Sequence, residues 1–83
     1  MHKELVLFTE NLVKSLVSES NMVSVQEFGG DDGEIILEII VHESDMGAII
    51  GKGGKMATAI RTIIQAYAYL NKLNRVKINI DSF

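Results

Sequence analysis

The sequence predicts a small α+β domain whose elements follow the order α-β-β-α-α-β. Three observations predict this fold class. Apolar residues recur at helical spacing at the start of the chain and again in its second half. Two β-branched runs between them flank a turn of glycine and aspartate, and a last run alternates apolar with polar residues. Since 83 residues leave no room for a second hydrophobic core, we expect one domain over residues 1–83.

The first element is a predicted helix over residues 3–19. Leu5, Leu12 and Leu16 recur on one side of this helix, and mostly polar residues occupy the other side. Leu7 falls on the polar side, where it is either a stray exposed residue or a dimer contact. The periodicity therefore predicts a helix that packs one face on the core.

A β-hairpin is predicted next, with strands over residues 22–28 and 34–42. The turn over residues 29–33 has no apolar content, and its two acids lack the spacing of a calcium-binding loop. The second strand is apolar and β-branched at nearly every position, with Glu38 as the sole interruption. Such a strand is typical of the middle of a sheet.

Two helices and a glycine-rich turn follow the hairpin. Residues 43–45 supply N-cap candidates for a short helix over residues 46–50, which Gly51 would end. A long helix is expected from Gly54 to about Leu73. Its predicted core side consists of Ala57, Ile60, Ile63, Ile64, Tyr67 and Leu70.

The last predicted element is a half-buried strand over residues 75–81, because apolar and polar residues alternate there. It is reached through helices, so we expect it to lie parallel to residues 34–42. These strands predict a three-stranded mixed sheet with residues 34–42 in the centre. The helices would pack on one face, and Ile36 and Ile40, or the residues that alternate with them, would leave the other face partly apolar.

Charge is distributed unevenly along the chain. Residues 1–46 contain ten acids and two bases, a net charge of −8, and residues 47–83 contain six bases and one acid, a net charge of +5. Mixing of the two halves in space would cancel this asymmetry. If the bases stay together, the overall charge of −3 does not exclude an anionic partner, because most of them follow the glycine-rich turn.

The composition indicates a soluble protein of the cytoplasm. There is no cysteine, so neither a disulfide nor a cysteine zinc site is expected. The start of the chain lacks the unbroken apolar core of a signal peptide, and the longest apolar runs are too short to span a bilayer. We therefore expect no membrane partner.

The turn over residues 51–54, Gly-Lys-Gly-Gly, does not match the nucleotide-binding loops. A Walker A loop has four residues between its glycines and a hydroxyl residue after its lysine. Here three residues separate Gly47 from Gly51, and a glycine follows the lysine. A dinucleotide loop needs a glycine where this chain has Met56. Both nucleotide functions are therefore disfavoured.

No combination of residues predicts catalysis. The two histidines are His2, expected at a frayed terminus, and His42, expected to be exposed or capping at a strand end. The acids concentrate at turns and helix starts, where solvation and capping explain them. We expect that the chain is not an enzyme and has no catalytic residue, no metal site and no cofactor.

The residues around the turn resemble the signature of KH domains. The Gly-x-x-Gly pattern of residues 51–54 is preceded by Ile-Ile, is followed by Lys-x-x-x-x-Ile-Arg, and stands between a short and a long helix. In KH domains a loop of this form clamps four nucleotides of a single strand. The added N-terminal helix and strand resemble the type II, bacterial arrangement. The whole chain resembles the KhpA family of small single-domain KH proteins.

This resemblance implies an RNA-binding protein, acting as an RNA chaperone or post-transcriptional regulator on single-stranded RNA. It further implies a homodimer, a partner KH protein of the KhpB type (also called Jag or EloR), and control of cell elongation and division, with effects on cell shape and the cell wall. The residues also leave open another function, a protein-interaction or dimerisation module with little RNA affinity.

The resemblance also implies roles for residues by position. Lys52 and Gly53 would be the variable pair that faces phosphate, between two fixed glycines. Gly53 has no side chain, so the loop has one cation where many KH loops have two, and Lys55 would compensate. Ile49 and Ile50 would anchor the short helix, with one of them reaching the groove. The predicted RNA-binding residues are Gly51, Lys52, Gly53, Gly54, Lys55, Ile49, Ile50 and Arg61.

The two tyrosines have different expected positions. Tyr67 falls on the core side of the long helix, so we expect it in the core rather than against a base. Tyr69 falls on the exposed side, but its distance from the turn argues against stacking. Lys55 and Arg61 either contact phosphate or form an ordinary solvated helix face.

Overall fold

The computed structural model describes residues 2–83 and confirms the α+β class and the element order α-β-β-α-α-β. Short 3-10 turns at residues 20–22, 31–33, 43–45 and 52–54 connect the elements. The helices and strands are α1 (Lys3–Lys14), β1 (Ser24–Gly29), β2 (Ile35–Val41), α2 (Met46–Ile50), α3 (Lys55–Leu70) and β3 (Val76–Ser82).

The three strands form one mixed sheet in the order β1-β2-β3. β1 pairs antiparallel with β2, as a hairpin, and β3 pairs parallel with β2. Ile39 in the centre of β2 lies opposite Val25 on β1 and Ile80 on β3. Both predictions, that residues 34–42 hold the central strand and that the last strand is parallel to it, are confirmed.

The hydrophobic core lies between the sheet and the helices. Alternate residues of β2 face the helices and are buried, while Ile36 and Ile40 between them are only half-buried on the opposite face. This confirms that the second face is partly apolar. The buried core residues of β2 are Ile35, Leu37, Ile39 and Val41, and their buried partners on the helices include Leu5, Val13, Ile49, Ile60 and Ile64.

Helix α1 is shorter than predicted, and the reason is a contact with a residue distant in sequence. It ends at Lys14 rather than at residue 19. The carboxylate of Asp45 accepts hydrogen bonds from the backbone N–H groups of Ser18 and Glu19, each at 3.0 Å, and from the Ser18 hydroxyl at 2.8 Å. These contacts take the N–H groups of residues 18 and 19 out of the helical pattern.

The same contacts correct the expected role of Asp45. This residue stands directly before α2, but its side chain does not cap that helix. It is instead buried against the segment that follows α1. The backbone hydrogen bond from Ser18 is the main cause that holds the pKa of the Asp45 carboxyl below its ordinary value of 3.8.

His2 is held in place and is not frayed, contrary to the expectation from sequence. Its backbone N–H donates to Glu27 Oε1 at 2.8 Å, and its ring Nδ1 lies 2.6 Å from Glu27 Oε2. Burial by itself would raise the pKa of Glu27, but the hydrogen bonds from His2 outweigh it and lower that pKa. The start of α1 is thereby fastened to β1. His42 was expected to be exposed or capping, and its ring accepts from the Ser44 N–H.

Helix α3 packs on the core with a narrower apolar side than predicted. Ile63 and Leu70 are exposed, whereas Ala68, which was not expected in the core, is buried. At 100° per residue the side chains of Ile63 and Leu70 fall outside the arc of the helix that faces the sheet. Tyr67 is partly buried and packs against the core, on the predicted side of the helix, and it stacks on Phe8 with ring centroids 4.2 Å apart.

The end of α3 also differs from the prediction. The helix ends at Leu70 rather than near Leu73, because Lys72 adopts a left-handed backbone with φ of 58°. That conformation cannot continue a right-handed helix. The chain turns there and enters β3 at Val76.

Replacing Asp45 by asparagine tests the contact between the segment that follows α1 and the residue that precedes α2. We expect D45N to lower the free energy of unfolding at pH 7, because an amide NH₂ would face donors that now meet a carboxylate. A lowered pKa stabilises the fold above the ordinary pKa and stops doing so as the pH falls through the lowered value. The difference between wild type and D45N should therefore shrink below about pH 4.

Urea unfolding measured between neutral and strongly acidic pH checks this expectation. D31N is the matched control, because Asp31 is exposed on the hairpin tip. A stability difference that stays constant over the whole pH range would contradict the role given to the Asp45 carboxylate.

Candidate nucleic-acid interface

The loop between α2 and α3 is built from glycines in the left-handed region of backbone conformation. Gly51, Gly53 and Gly54 have φ of 74°, 64° and 78°. Residues with a Cβ atom rarely adopt such angles, so these positions favour glycine. The Gly54 N–H donates to the Gly51 carbonyl at 3.3 Å and closes the turn. The glycines therefore set the shape of the loop.

The surroundings of Gly51 are more crowded than those of Gly53 and Gly54. A Cβ atom at Gly51 would lie 2.6 Å from the Cβ and 2.8 Å from the backbone nitrogen of Met56. At Gly53 and Gly54 no atom lies within 4 Å of the equivalent position. Gly51 therefore lets the start of α3 pack closely on the end of α2, while Gly53 and Gly54 have open space on their surface.

The two isoleucines before the loop have separate positions. Ile49 is fully buried in the core, and Ile50 keeps 42% of its surface exposed. The side chain of Ile49 consequently anchors α2 and cannot reach a ligand on the surface. Ile50 alone of the pair offers apolar surface beside the loop.

The three cationic residues predicted to bind RNA lie at or beyond this loop. Lys52 and Lys55 are exposed, and Arg61 is half-buried along α3. Gln65, one turn further, donates to the Val76 carbonyl at 3.4 Å, so this side of α3 faces β3. The two ion pairs found within residues 2–83 join His2 to Glu27 and Lys14 to Glu10, and none of these three cations takes part in them.

The N-terminal end of α3 adds to the positive potential at the loop. Backbone N–H groups in the first turn of a helix point away from its body, and the helix dipole places partial positive charge there. The first turn of α3 contains no acid to oppose this potential. A helix N-terminus beside a glycine loop and lysines is suited to hold the phosphates of a nucleic-acid backbone.

The described part of the chain offers no alternative site for metal chemistry. Within residues 2–83 no group of three or more His, Asp or Glu side chains could hold a metal ion. The same residues contain no helix that is long and apolar enough to cross a membrane.

A mixed three-stranded sheet that carries a short helix, a Gly-x-x-Gly loop and a long helix defines a KH domain. The family model for the KhpA/KhpB KH domain matches residues 7–80. The chain belongs to this family of KH domains. It is a non-enzymatic family, in agreement with the expectation from sequence.

Relatives from several bacteria match most of the chain. An RNA-binding protein KhpA of Clostridium perfringens is 48% identical over 66 residues, which cover 80% of this chain and 83% of the relative. The protein of the same name from Clostridium acetobutylicum is 49% identical and covers 71% and 77%. That of Caldanaerobacter subterraneus is 41% identical and covers 86% and 92%.

Solved structures of Era share the fold. Aquifex aeolicus Era bound to GDP and aluminium fluoride superposes with a TM-score of 0.69 at 20% identity, over 95% of this chain and 30% of Era. Era in complex with a magnesium-bound nucleotide and nucleotides 1506–1542 of 16S ribosomal RNA gives 0.66 at 22% identity, over 94% and 29%. This chain spans less than a third of Era, so the likeness concerns the fold of one part of that protein.

Alanine substitutions at two loop glycines test how strongly each position requires glycine. G53A introduces a left-handed alanine into open space, so we expect a loss of about 1 kcal/mol in the free energy of unfolding. G51A adds a clash with Met56 and places an alanine at φ 74° and ψ 180°, a backbone region essentially confined to glycine, so we expect a further loss of about 1–3 kcal/mol. Chemical denaturation of the two variants gives both values, and equal losses would contradict the close packing at Gly51.

Proposed function

We propose that this chain binds single-stranded RNA by clamping the RNA backbone at residues 51–54. The observation that carries the proposal is the open, left-handed glycine loop at the N-terminus of α3. Relatives 41–49% identical are named RNA-binding proteins, which supports RNA as the ligand. The absence of side-chain atoms around Gly53 lets a sugar-phosphate backbone approach the main chain.

The proposed roles of the surrounding residues follow from their positions. Lys52 and Lys55 attract phosphate, and Ile50 offers an apolar surface against which a base can lie. Arg61 extends the positive potential along the side of α3 that faces β3. Ile49, which is buried, acts by fixing α2 and not by contact with RNA.

We further propose that the protein acts in the cytoplasm as an RNA chaperone or post-transcriptional regulator, together with a KH protein of the KhpB type, in control of cell elongation and division. Membership of the KhpA/KhpB family supports this proposal. Affinity purification of the tagged chain from cells, followed by identification of bound proteins, tests the partnership. Failure to recover a KhpB-type protein would contradict it.

A double substitution in the loop tests the RNA clamp. K52D/G53D places two acids where phosphate is expected, so the affinity for a mixed-sequence single-stranded RNA should fall at least about tenfold. Loss of the Lys52 contact should also lower the slope of log affinity against log salt by about 0.7. Fluorescence anisotropy titrations at several salt concentrations give both quantities.

A matched control separates the position of the charges from their number. K3D/G29D changes the net charge by the same amount at two exposed positions outside the loop, and a side chain at Gly29 meets no atom within 4 Å. This control should bind RNA close to wild type. Equal affinities of K52D/G53D and wild type would refute the clamp.

A second function, self-association, has an independent observation in its favour. A stripe of apolar residues on α3 recurs at intervals of three and four residues, which is the spacing of a coiled-coil seam. All of them are exposed, including Ile63 at 43% and Leu70 at 77%. Large residues alternate with alanine, so a second copy could pack closely. The stripe consists of Met56, Ala59, Ile63, Ala66 and Leu70.

We propose that two copies of α3 pair antiparallel through this stripe and form the homodimer. Ile63 lies at its centre, so a two-fold axis there brings Met56 of one copy near Leu70 of the other. The loop at residues 51–54 lies at the end of the seam and stays open. Two loops on one RNA strand would bind more tightly than one.

A single charge in the seam tests this dimer. I63K should convert it to a folded monomer, because burying an unpaired lysine opposes pairing while the exposed site tolerates it. T62K is the matched control, since Thr62 is exposed beside the stripe. Mass measured by light scattering across micromolar concentrations decides the outcome; a monomeric wild type, or a dimeric I63K, would contradict the proposed interface.

A further inference from the structure

The C-terminal end of α3 borders a depression of about 510 Å³ that the proposed clamp does not use. Tyr69 forms one wall of it and leaves 82% of its surface exposed. An exposed aromatic ring offers a face on which a nucleobase can stack. Amide and guanidinium groups beside it can bind base edges and phosphate. The lining residues include Gln65, Tyr69, Leu73, Asn74, Arg75 and Val76.

The turn that carries these residues is held rigidly. The N–H of Lys72 donates to the carbonyl of Tyr69 at 3.1 Å, and the N–H of Leu73 donates to the carbonyl of Ala68 at 2.9 Å. These two bonds form a Schellman motif, in which glycine usually occupies the left-handed position. Here Lys72 occupies it, with φ of 58°. Lys72 lines an adjoining depression together with Tyr69 and Leu73, which places its charge beside the Tyr69 ring.

The residues after the turn are pinned to the hairpin. Asn74 Nδ2 donates to the Gly33 carbonyl at 3.0 Å, so its Oδ1 remains an acceptor. The Arg75 carbonyl accepts from the Ile35 N–H at 2.8 Å, while the Arg75 side chain is exposed. The guanidinium takes part in neither of the ion pairs found within residues 2–83.

The charges around this depression limit the side from which an RNA strand can approach it. On its far side, Asn74 and Arg75 also border a second depression, which is lined by Asp31, Asp32 and Glu34 of the hairpin tip. These acids repel phosphate. A strand that reaches Arg75 therefore comes along α3 from the loop and does not continue over the hairpin.

The distance from the loop suits a strand longer than the clamp. Tyr69 lies fourteen positions after Lys55, a rise of about 21 Å along α3. A KH loop clamps four nucleotides. Eight further nucleotides, even when stacked at about 3.4 Å each, span roughly 27 Å, which is enough to reach Tyr69. Arg61 and Gln65 lie between the two places, on the side of α3 that faces β3.

We infer that Tyr69, Lys72 and Arg75 form a second RNA subsite, which holds a base of single-stranded RNA beyond the four nucleotides at the loop. Tyr69 stacks on the base, and the two cations bind the flanking phosphates. The inference rests on the proposed RNA clamp and extends it. An RNA of four nucleotides would fill the clamp without reaching Tyr69, so only a longer RNA can show this role.

Binding of two oligomers to the full chain tests the subsite. Wild type and Y69S are titrated with single-stranded RNAs of about four and about twelve nucleotides, the first matched to the clamp. We expect Y69S to lose at least about fivefold in affinity for the longer strand and to bind the shorter strand as wild type does. Y69F, which keeps the ring, should retain the affinity for the longer strand.

Two further variants complete the design. F28S removes an exposed aromatic ring on the opposite face of the sheet and should bind both strands as wild type does. K72G relieves the left-handed strain, so it should be more stable in urea and still bind the longer strand more weakly. Unchanged binding of the longer strand by Y69S overturns the subsite alone. Failure of wild type to bind either strand overturns the clamp and the subsite together.

Discussion

The close packing of α2 on the start of α3 at Gly51 is the constraint on which the rest of the site depends. A Cβ atom at this position would lie 2.6 Å from the Cβ of Met56, and the backbone is left-handed. The two helices can meet at one residue only because no side chain is there. The next residues are then forced outward, where Gly53 and Gly54 have open space around them. A local backbone constraint thus produces an exposed surface at a helix N-terminus, which is suited to anions.

Contacts between distant parts of the chain hold this joint in position. Ile49 is fully buried and ties α2 to the core. Asp45 stands directly before α2, and its carboxylate binds the N–H groups of Ser18 and Glu19 after α1. The segment that follows α1 therefore supports the start of α2 although it lies on another part of the chain. The hydrogen bonds to the Asp45 carboxylate lower its pKa, so the support weakens only in strong acid.

The net charge of −3 is a poor guide to the surface of this protein. Two acids, Glu27 and Asp45, are engaged in hydrogen bonds that fasten α1 and the segment after it, rather than lying beside the loop. Other acids lie on the hairpin tip over residues 31–34. The cations at and beyond the loop lie outside the ion pairs found within residues 2–83. A locally positive face can thus exist on an acidic chain.

The sequence by itself determined the element order, the central strand and the glycine loop, because periodicity and left-handed glycines are local properties of the chain. It misjudged the end of α1, the position of His2 and the exposure of Ile63. Each of these depends on contacts that the local sequence pattern does not contain. The end of α1 depends on a carboxylate 27 residues away from Ser18, and the position of His2 depends on Glu27 of β1. The exposure of Ile63 depends on how α3 is oriented on the sheet. The different burial of Ile49 and Ile50 also could not be predicted, because neighbouring apolar residues are equivalent in the sequence pattern. Only the tertiary structure decided which side chains face the solvent and could meet a ligand, because burial is set by packing between elements.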